Sequence, residues 1–128
     1  METQNVSSLD LLVEAQAQEA GWPKPEREVR VCKDRRFRFD YAWPELSLDE
    51  AMNLPEGAFI STIASGVALE IDGGVWMRGK SGHSSGKGIL RDMEKQNVAV
   101  ANGWRVLRLT PSQVCAGELT MWLRRLAA

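Results

Sequence analysis

The residues best suited to chemistry are two carboxylates at the end of an apolar run. Glu70 and Asp72 close the segment Gly66-Val67-Ala68-Leu69-Glu70-Ile71-Asp72, and their i, i+2 spacing puts both on one face of an extended chain. A sheet that buries that face does not tolerate two unpaired carboxylates, so the pair needs a cation, a proton or hydrogen-bond partners. Asp40 ends a second extended pattern, with Arg36 and Arg38 on its side and Phe37, Phe39 and Tyr41 on the other. If the two strands are neighbours, three carboxylates gather at one end of the sheet. Clustered acids raise one another's pKa unless a divalent cation joins them. Mg²⁺ suits such a site, because it takes one or two carboxylates and keeps waters for a substrate phosphate. A basic segment follows directly, and the chemistry inferred is metal-assisted phosphodiester hydrolysis. The competing reading is structural: Asp40 and Glu70 form strand-end ion pairs with Arg36, Arg38 or Arg108, and the chain does no chemistry.

The elements that must position these acids are legible in order. Ser7 with Asp10 fits a capping box, and the apolar residues that follow suit a helix over about 7–20. Gly21-Trp22-Pro23-Lys24-Pro25 stops it. Glu28–Cys32 and Arg35–Trp43 read as strands, Ser47–Met52 as a short helix, Asn53–Gly57 as a turn and Phe59–Ile63 as another short strand. The run ending at Asp72, the Gly/Ser-rich segment 79–88, the amphipathic Ile89–Asn102 and Trp104–Leu109 together read as a βαβ unit with parallel strands. Past Thr110-Pro111, one or two short helices reach Leu126, with Pro at an N1 position. The fold class expected is α/β (α+β), a central mixed sheet flanked by helices, in a single domain over 1–128.

The 128 residues suffice for a core without staples, and 44% hydrophobic with 26% charged residues is ordinary for a globular protein. No run approaches the roughly 18 apolar residues of a membrane span and no signal peptide opens the chain, so no membrane partner and a cytoplasmic location are expected. Cys32 and Cys115 are too few and too far apart for a disulfide framework or a zinc site, and read as reduced, partly buried thiols. The net charge of −1 hides segregation: residues 76–110 hold seven bases against two acids, a net of +5. A positive field therefore follows Asp72.

Arg38-Phe39-Asp40, Leu69-Glu70-Ile71-Asp72-Gly73-Gly74, Asp92-Met93-Glu94-Lys95 and Gly103-Trp104-Arg105-Val106-Leu107-Arg108 form an ordered set. That set resembles the PD-(D/E)XK nuclease superfamily, over roughly Glu28 to Leu109. The likeness is greatest to small restriction-endonuclease-like proteins of phages and bacteria, and extends to very short patch repair endonucleases. The resemblance implies a restriction-endonuclease-like fold and a Mg²⁺-dependent DNA endonuclease, with Mn²⁺ as an alternative ion and structure-specific cleavage in repair or recombination as one option. Asp40 and Glu70 would then be metal ligands, the Ile71 carbonyl a third, and Glu28 an upstream acid added to the site. DNA is the partner implied, with a homodimer as an option. The alternative is a non-catalytic nucleic-acid-binding module that keeps the fold.

Two departures from the family pattern bear on that choice. Where a lysine is usual two residues after the second acid, this chain has Asp72. Some members use an acid there, and others supply the lysine from the following helix, for which Lys95 is the candidate. On a helical wheel Ile89, Leu90, Met93, Val100 and Ala101 form the stripe expected to be buried, with Asn97 inside it. Lys95 lies nearly opposite, where it reads equally as a solvated or DNA-facing lysine. The second departure is the spacing of about thirty residues between Asp40 and Glu70, attributed to a surface insertion carrying Asp49 and Glu50. Arg36, Arg38, Lys80, His83 and Lys87 are the expected DNA contacts. His83, the only histidine, reads as a phosphate contact or proton relay, or else as an exposed loop residue. Gly73-Gly74 suits a sharp exit from the strand, Trp22, Trp104 and Trp122 suit the core, and Arg124-Arg125 suits a solvated helix face.

Overall fold

The computed structural model describes residues 6–31, 36–44, 66–73 and 86–127. Helix α1 spans Ser8–Glu19 and starts where the sequence indicates. Ser7 Oγ accepts from the Asp10 amide at 3.1 Å, and Asp10 Oδ2 accepts from the Ser7 amide at 2.9 Å, so the capping box is closed from both sides. Gly21 leaves the helix at φ 83°, a left-handed conformation that costs glycine nothing.

Among the described residues four strands form one sheet in the order β1-β2-β3-β4: β1 Glu26–Arg30, β2 Arg38–Trp43, β3 Val67–Ile71 and β4 Arg105–Leu109. The first two pairings are antiparallel and β3–β4 is parallel, joined through helix α2, Gly86–Ala101. The βαβ reading and the mixed sheet therefore stand. Helices α3, Pro111–Cys115, and α4, Glu118–Ala127, complete the chain; Thr110 caps α3 with Pro111 at its start. The protein is a mixed α/β structure in which no helix, among the described residues, is long and apolar enough to cross a membrane.

Several boundaries differ from the reading of the sequence. β1 begins at Glu26 rather than Glu28, directly after Pro25, because its pairing with β2 starts at Glu26↔Ala42. β2 opens at Arg38 instead of Arg35, and α2 extends back through Gly88 and Gly86 in spite of their poor helix propensity. Cys115 is exposed, not partly buried, since Val114 is the α3 residue turned into the core. The expected elements at Ser47–Met52, Asn53–Gly57 and Phe59–Ile63, together with Cys32, Lys80 and His83, lie outside the described residues.

Each face of the sheet carries its own core. Val13, Ala17, Trp22, Tyr41, Trp43, Val67, Leu69, Leu109, Val114, Leu119 and Leu123 pack together beneath α1, α3 and α4. Gln16 is the polar hub of that layer: its Nε2 donates to the Val114 carbonyl at 2.7 Å and its Oε1 accepts from the Leu119 amide at 3.1 Å. The other face buries Val31, Phe39, Ala68 and Ala99, with Phe37, Trp104 and Val106 half-buried against them. Trp22 is fully in the core as expected, while Trp104 and Trp122 pack at its margins. Arg124 and Arg125 are not merely solvated: Arg124 donates to the Glu19 carbonyl at the end of α1, and Arg125 lies over the Trp122 ring.

The clean alternation expected for β2 breaks at Asp40. Phe37 and Phe39 join the α2 side, but Tyr41 joins the α1 side. Across the pair, Glu28 takes φ +52°, and the register passes from Arg27↔Tyr41 to Val29↔Phe39 without a Glu28–Asp40 pairing. A non-glycine residue with positive φ is uncommon, and here the irregularity falls beside the acids.

Candidate functional site

The register Tyr41↔Leu69 between β2 and β3 sets Asp40 beside Glu70. The first strand enters where the second leaves, so antiparallel pairing brings the two acids to one end of the sheet. Asp40 Oδ2 accepts from the Ile71 amide at 2.7 Å. Glu70 is only 7% exposed, and Lys95 Nζ donates to its Oε2. The same ammonium lies 4.6 Å from the centroid of the Phe39 ring, so it is held between the ring face and the carboxylate. Burial pushes the Glu70 carboxyl up to about 7; the Lys95 hydrogen bond opposes this, and the nearby Asp40 charge adds to it.

Asp72 has a different partner. Arg108 donates Nε to Asp72 Oδ2 at 2.7 Å and Nη2 to Oδ1 at 2.8 Å, a bidentate pair. Arg108 Nη1 also donates to Gln96 Oε1 at 3.1 Å, and Nη2 stands 3.9 Å from Asp92 Oδ2. The hydrogen bonds to Asp72 raise the guanidinium's pKa further, so it is a fixed cation. Ion pairing at the strand ends is thus real, but Arg108 takes Asp72, while Glu70 is met by a lysine.

The buried stripe read from the wheel of α2 is overturned. Ile89, Leu90, Met93 and Val100 are 49, 67, 55 and 55% exposed, Ala101 and Asn97 are exposed too, and Ala99 is the buried residue of this helix. Asp92, Lys95, Gln96 and Ala99 instead face the sheet, at i, i+3, i+4 and i+7. The end of the sheet presents charges, Glu70, Asp72 and Arg108, and a helix docking there turns its polar stripe inward. Apolar periodicity could not show this. The signal available was that second stripe, one lysine, one acid and one amide at helical spacing, set against acids known to need partners.

Glu28 is exposed and, with Asp40 and Ile71, borders an open cleft of about 830 Å³. Its floor is tied by Asp10, whose Oδ1 accepts from the Tyr41 hydroxyl at 2.5 Å and whose Oδ2 accepts from Arg27 Nη1 at 2.9 Å. Burial and the Asp10 carboxylate raise the Tyr41 hydroxyl's pKa, while its hydrogen bond lowers that of Asp10. The sequence did not single out this network.

Among the described residues no three His, Cys, Asp or Glu side chains stand together as a metal cluster. The hard oxygens that stand side by side are those of Asp40 and Glu70, with Ile71 next along the strand. Hard oxygen donors of this kind would suit Mg²⁺ better than a softer ion. Arg36 and Arg38 are exposed, and Arg38 pairs with Arg30 of β1 at this same end of the sheet. Lys87 is exposed two turns N-terminal to Lys95, about 12 Å further along the helix axis. No family model matches the chain, and neither a curated protein nor a solved structure matches it.

Proposed function

We propose that the protein is a metal-dependent DNA endonuclease of the PD-(D/E)XK type, with a restriction-endonuclease-like fold. The observation that carries this reading is the convergence of Asp40, Glu70 and Lys95, from β2, β3 and α2, on one end of the sheet. A bound Mg²⁺ or Mn²⁺ would polarise the phosphate and lower the pKa of an attacking water. Asp40, Glu70 and the Ile71 carbonyl would hold it, and Glu28, which borders the same cleft as Asp40 and Ile71, would be the upstream acid. Lys95, released from Glu70, would set its ammonium against the charge that builds on the attacked phosphate. Arg36, Arg38 and Lys87 would bind neighbouring phosphates and fix the strand's register without reading bases. The binding-module alternative rests on the missing lysine beside Asp72; the Lys95 ammonium at Glu70 supports the catalytic reading instead.

The test is incubation of the purified protein with plasmid, linear, branched and single-stranded DNA in Mg²⁺, Mn²⁺ or EDTA. Cleavage in Mg²⁺ that EDTA stops and Glu70→Ala abolishes is expected. DNA binding without cleavage under every condition would favour the non-catalytic module.

A further inference from the structure

The position of Lys95 depends on a helix that the sheet holds by little apolar surface. Of the α2 side chains only Ala99 is buried, against Phe39, Ala68 and Val31. A methyl group is too small to fix the rotation of a helix about its own axis. Charged contacts can. Arg108 stands in β4 opposite Glu70 in the parallel register. Its guanidinium is anchored on Asp72 by two hydrogen bonds of 2.7 and 2.8 Å and reaches α2 at Gln96, 3.1 Å, and Asp92, 3.9 Å. Asp92 lies three residues before Lys95 and Gln96 one residue after it, so both contacts fall on the turn that carries the lysine. The side chains of Arg108, Asp72 and Asp92 are 30, 15 and 17% exposed, so these interactions are partly shielded from water. A planar guanidinium offers its donors in a rigid fork, so anchoring two of them on Asp72 fixes where the others aim.

We propose that Arg108 is a positioning residue: anchored on Asp72, it sets the rotation of α2 and so holds the Lys95 ammonium at Glu70. Asp72 is then the anchor of this clamp, with both oxygens committed, and not a metal ligand. The consequence for turnover rests on the nuclease reading, but the consequence for Lys95 does not.

The experiment reads the two separately. Full-length wild type, Arg108→Gln and Arg108→Lys are treated in EDTA with a limiting amine-acylating reagent, and labelling rates at each lysine are read by mass spectrometry. Lys24 and Lys87, both exposed, serve as internal references. Lys95 is expected to label ~10-fold faster in both variants, a coupling ordinary for residues in one network, with the references unchanged. Arg108→Lys keeps the charge but not the fork, so protection restored by it would overturn the proposal, as would unchanged labelling in a folded Arg108→Gln. If Arg108→Gln fails to fold by circular dichroism, Gln96→Ala removes one arm of the clamp, and the same rise or its absence decides. On plasmid in Mg²⁺, Arg108→Gln is expected to slow cleavage ~10-fold alone and to add nothing in a Lys95→Ala background. Additive losses would overturn action through Lys95. A wild type that cuts no DNA would sink the nuclease reading and leave the labelling result to decide the clamp.

Discussion

Glu70→Gln removes an ionisation that burial has displaced at the site. The Glu70 carboxyl has an ordinary value of 4.5 and is pushed up to about 7 in the folded protein, chiefly by desolvation. At about 1.4 kcal/mol per pH unit, that difference corresponds to roughly 3 kcal/mol of stability. The folded state holds the proton more tightly than the unfolded chain does. The contribution is therefore fully present below about pH 4.5 and is lost as pH rises through about 7. Asp10 acts in the opposite sense, because the Tyr41 hydrogen bond lowers its pKa; its contribution is present above 3.8 and is lost in more acidic solution, outside this window. Urea unfolding in EDTA at half-unit steps from pH 4.5 to 7.5 should show wild-type stability falling by about 2–3 kcal/mol. The Glu70→Gln profile should be nearly flat. Its absolute stability is less informative, since the amide leaves the Lys95 ammonium, 14% exposed, without a carboxylate. Mg²⁺ should raise wild-type stability near pH 7, where the ion competes for an ionised Glu70, and should do little for the variant. A wild-type decline that survives unchanged in Glu70→Gln, or a Glu70 carboxyl titrating near 4.5 by NMR, would refute the reasoning.

Lys95→Ala should lower the cleavage rate by a factor of ~10² with Mg²⁺ affinity little changed, as for the loss of one preorganised donor; single-turnover kinetics beside metal titration separates the two. Lys87→Ala and Arg38→Ala should each weaken DNA binding about equally for all sequences and reduce the slope of log affinity against log salt by about 1. An affinity indifferent to salt between roughly 50 and 200 mM would contradict phosphate contacts. Gln16→Leu should cost about 2–4 kcal/mol in urea unfolding, because the Val114 carbonyl and Leu119 amide lose their partner inside the core.

Local chemistry determined much of what the sequence showed about this protein. The capping box at Ser7 and Asp10, the stop at Gly21, and Thr110-Pro111 at the start of α3 are short-range events, settled by residues within a turn of one another. The βαβ unit was legible because its strands and helix have different periods. So was the juxtaposition of Asp40 with Glu70, once the two strands were taken as neighbours. Tertiary structure decided what those signals could not. The break in β2 at Asp40 depends on the partner strand and on Glu28's backbone, so alternation alone carried Tyr41 to the wrong face. The orientation of α2 is the larger case. Its apolar stripe argued for burying Ile89, Leu90, Met93 and Val100, yet the helix docks on a sheet end already charged by Glu70, Asp72 and Arg108. A buried charge without a partner costs more than an exposed Leu or Met, so Lys95, Gln96 and Asp92 turn inward and the apolar side chains stay outside. That balance depends on groups from three elements meeting in space, and no helix read by itself contains it.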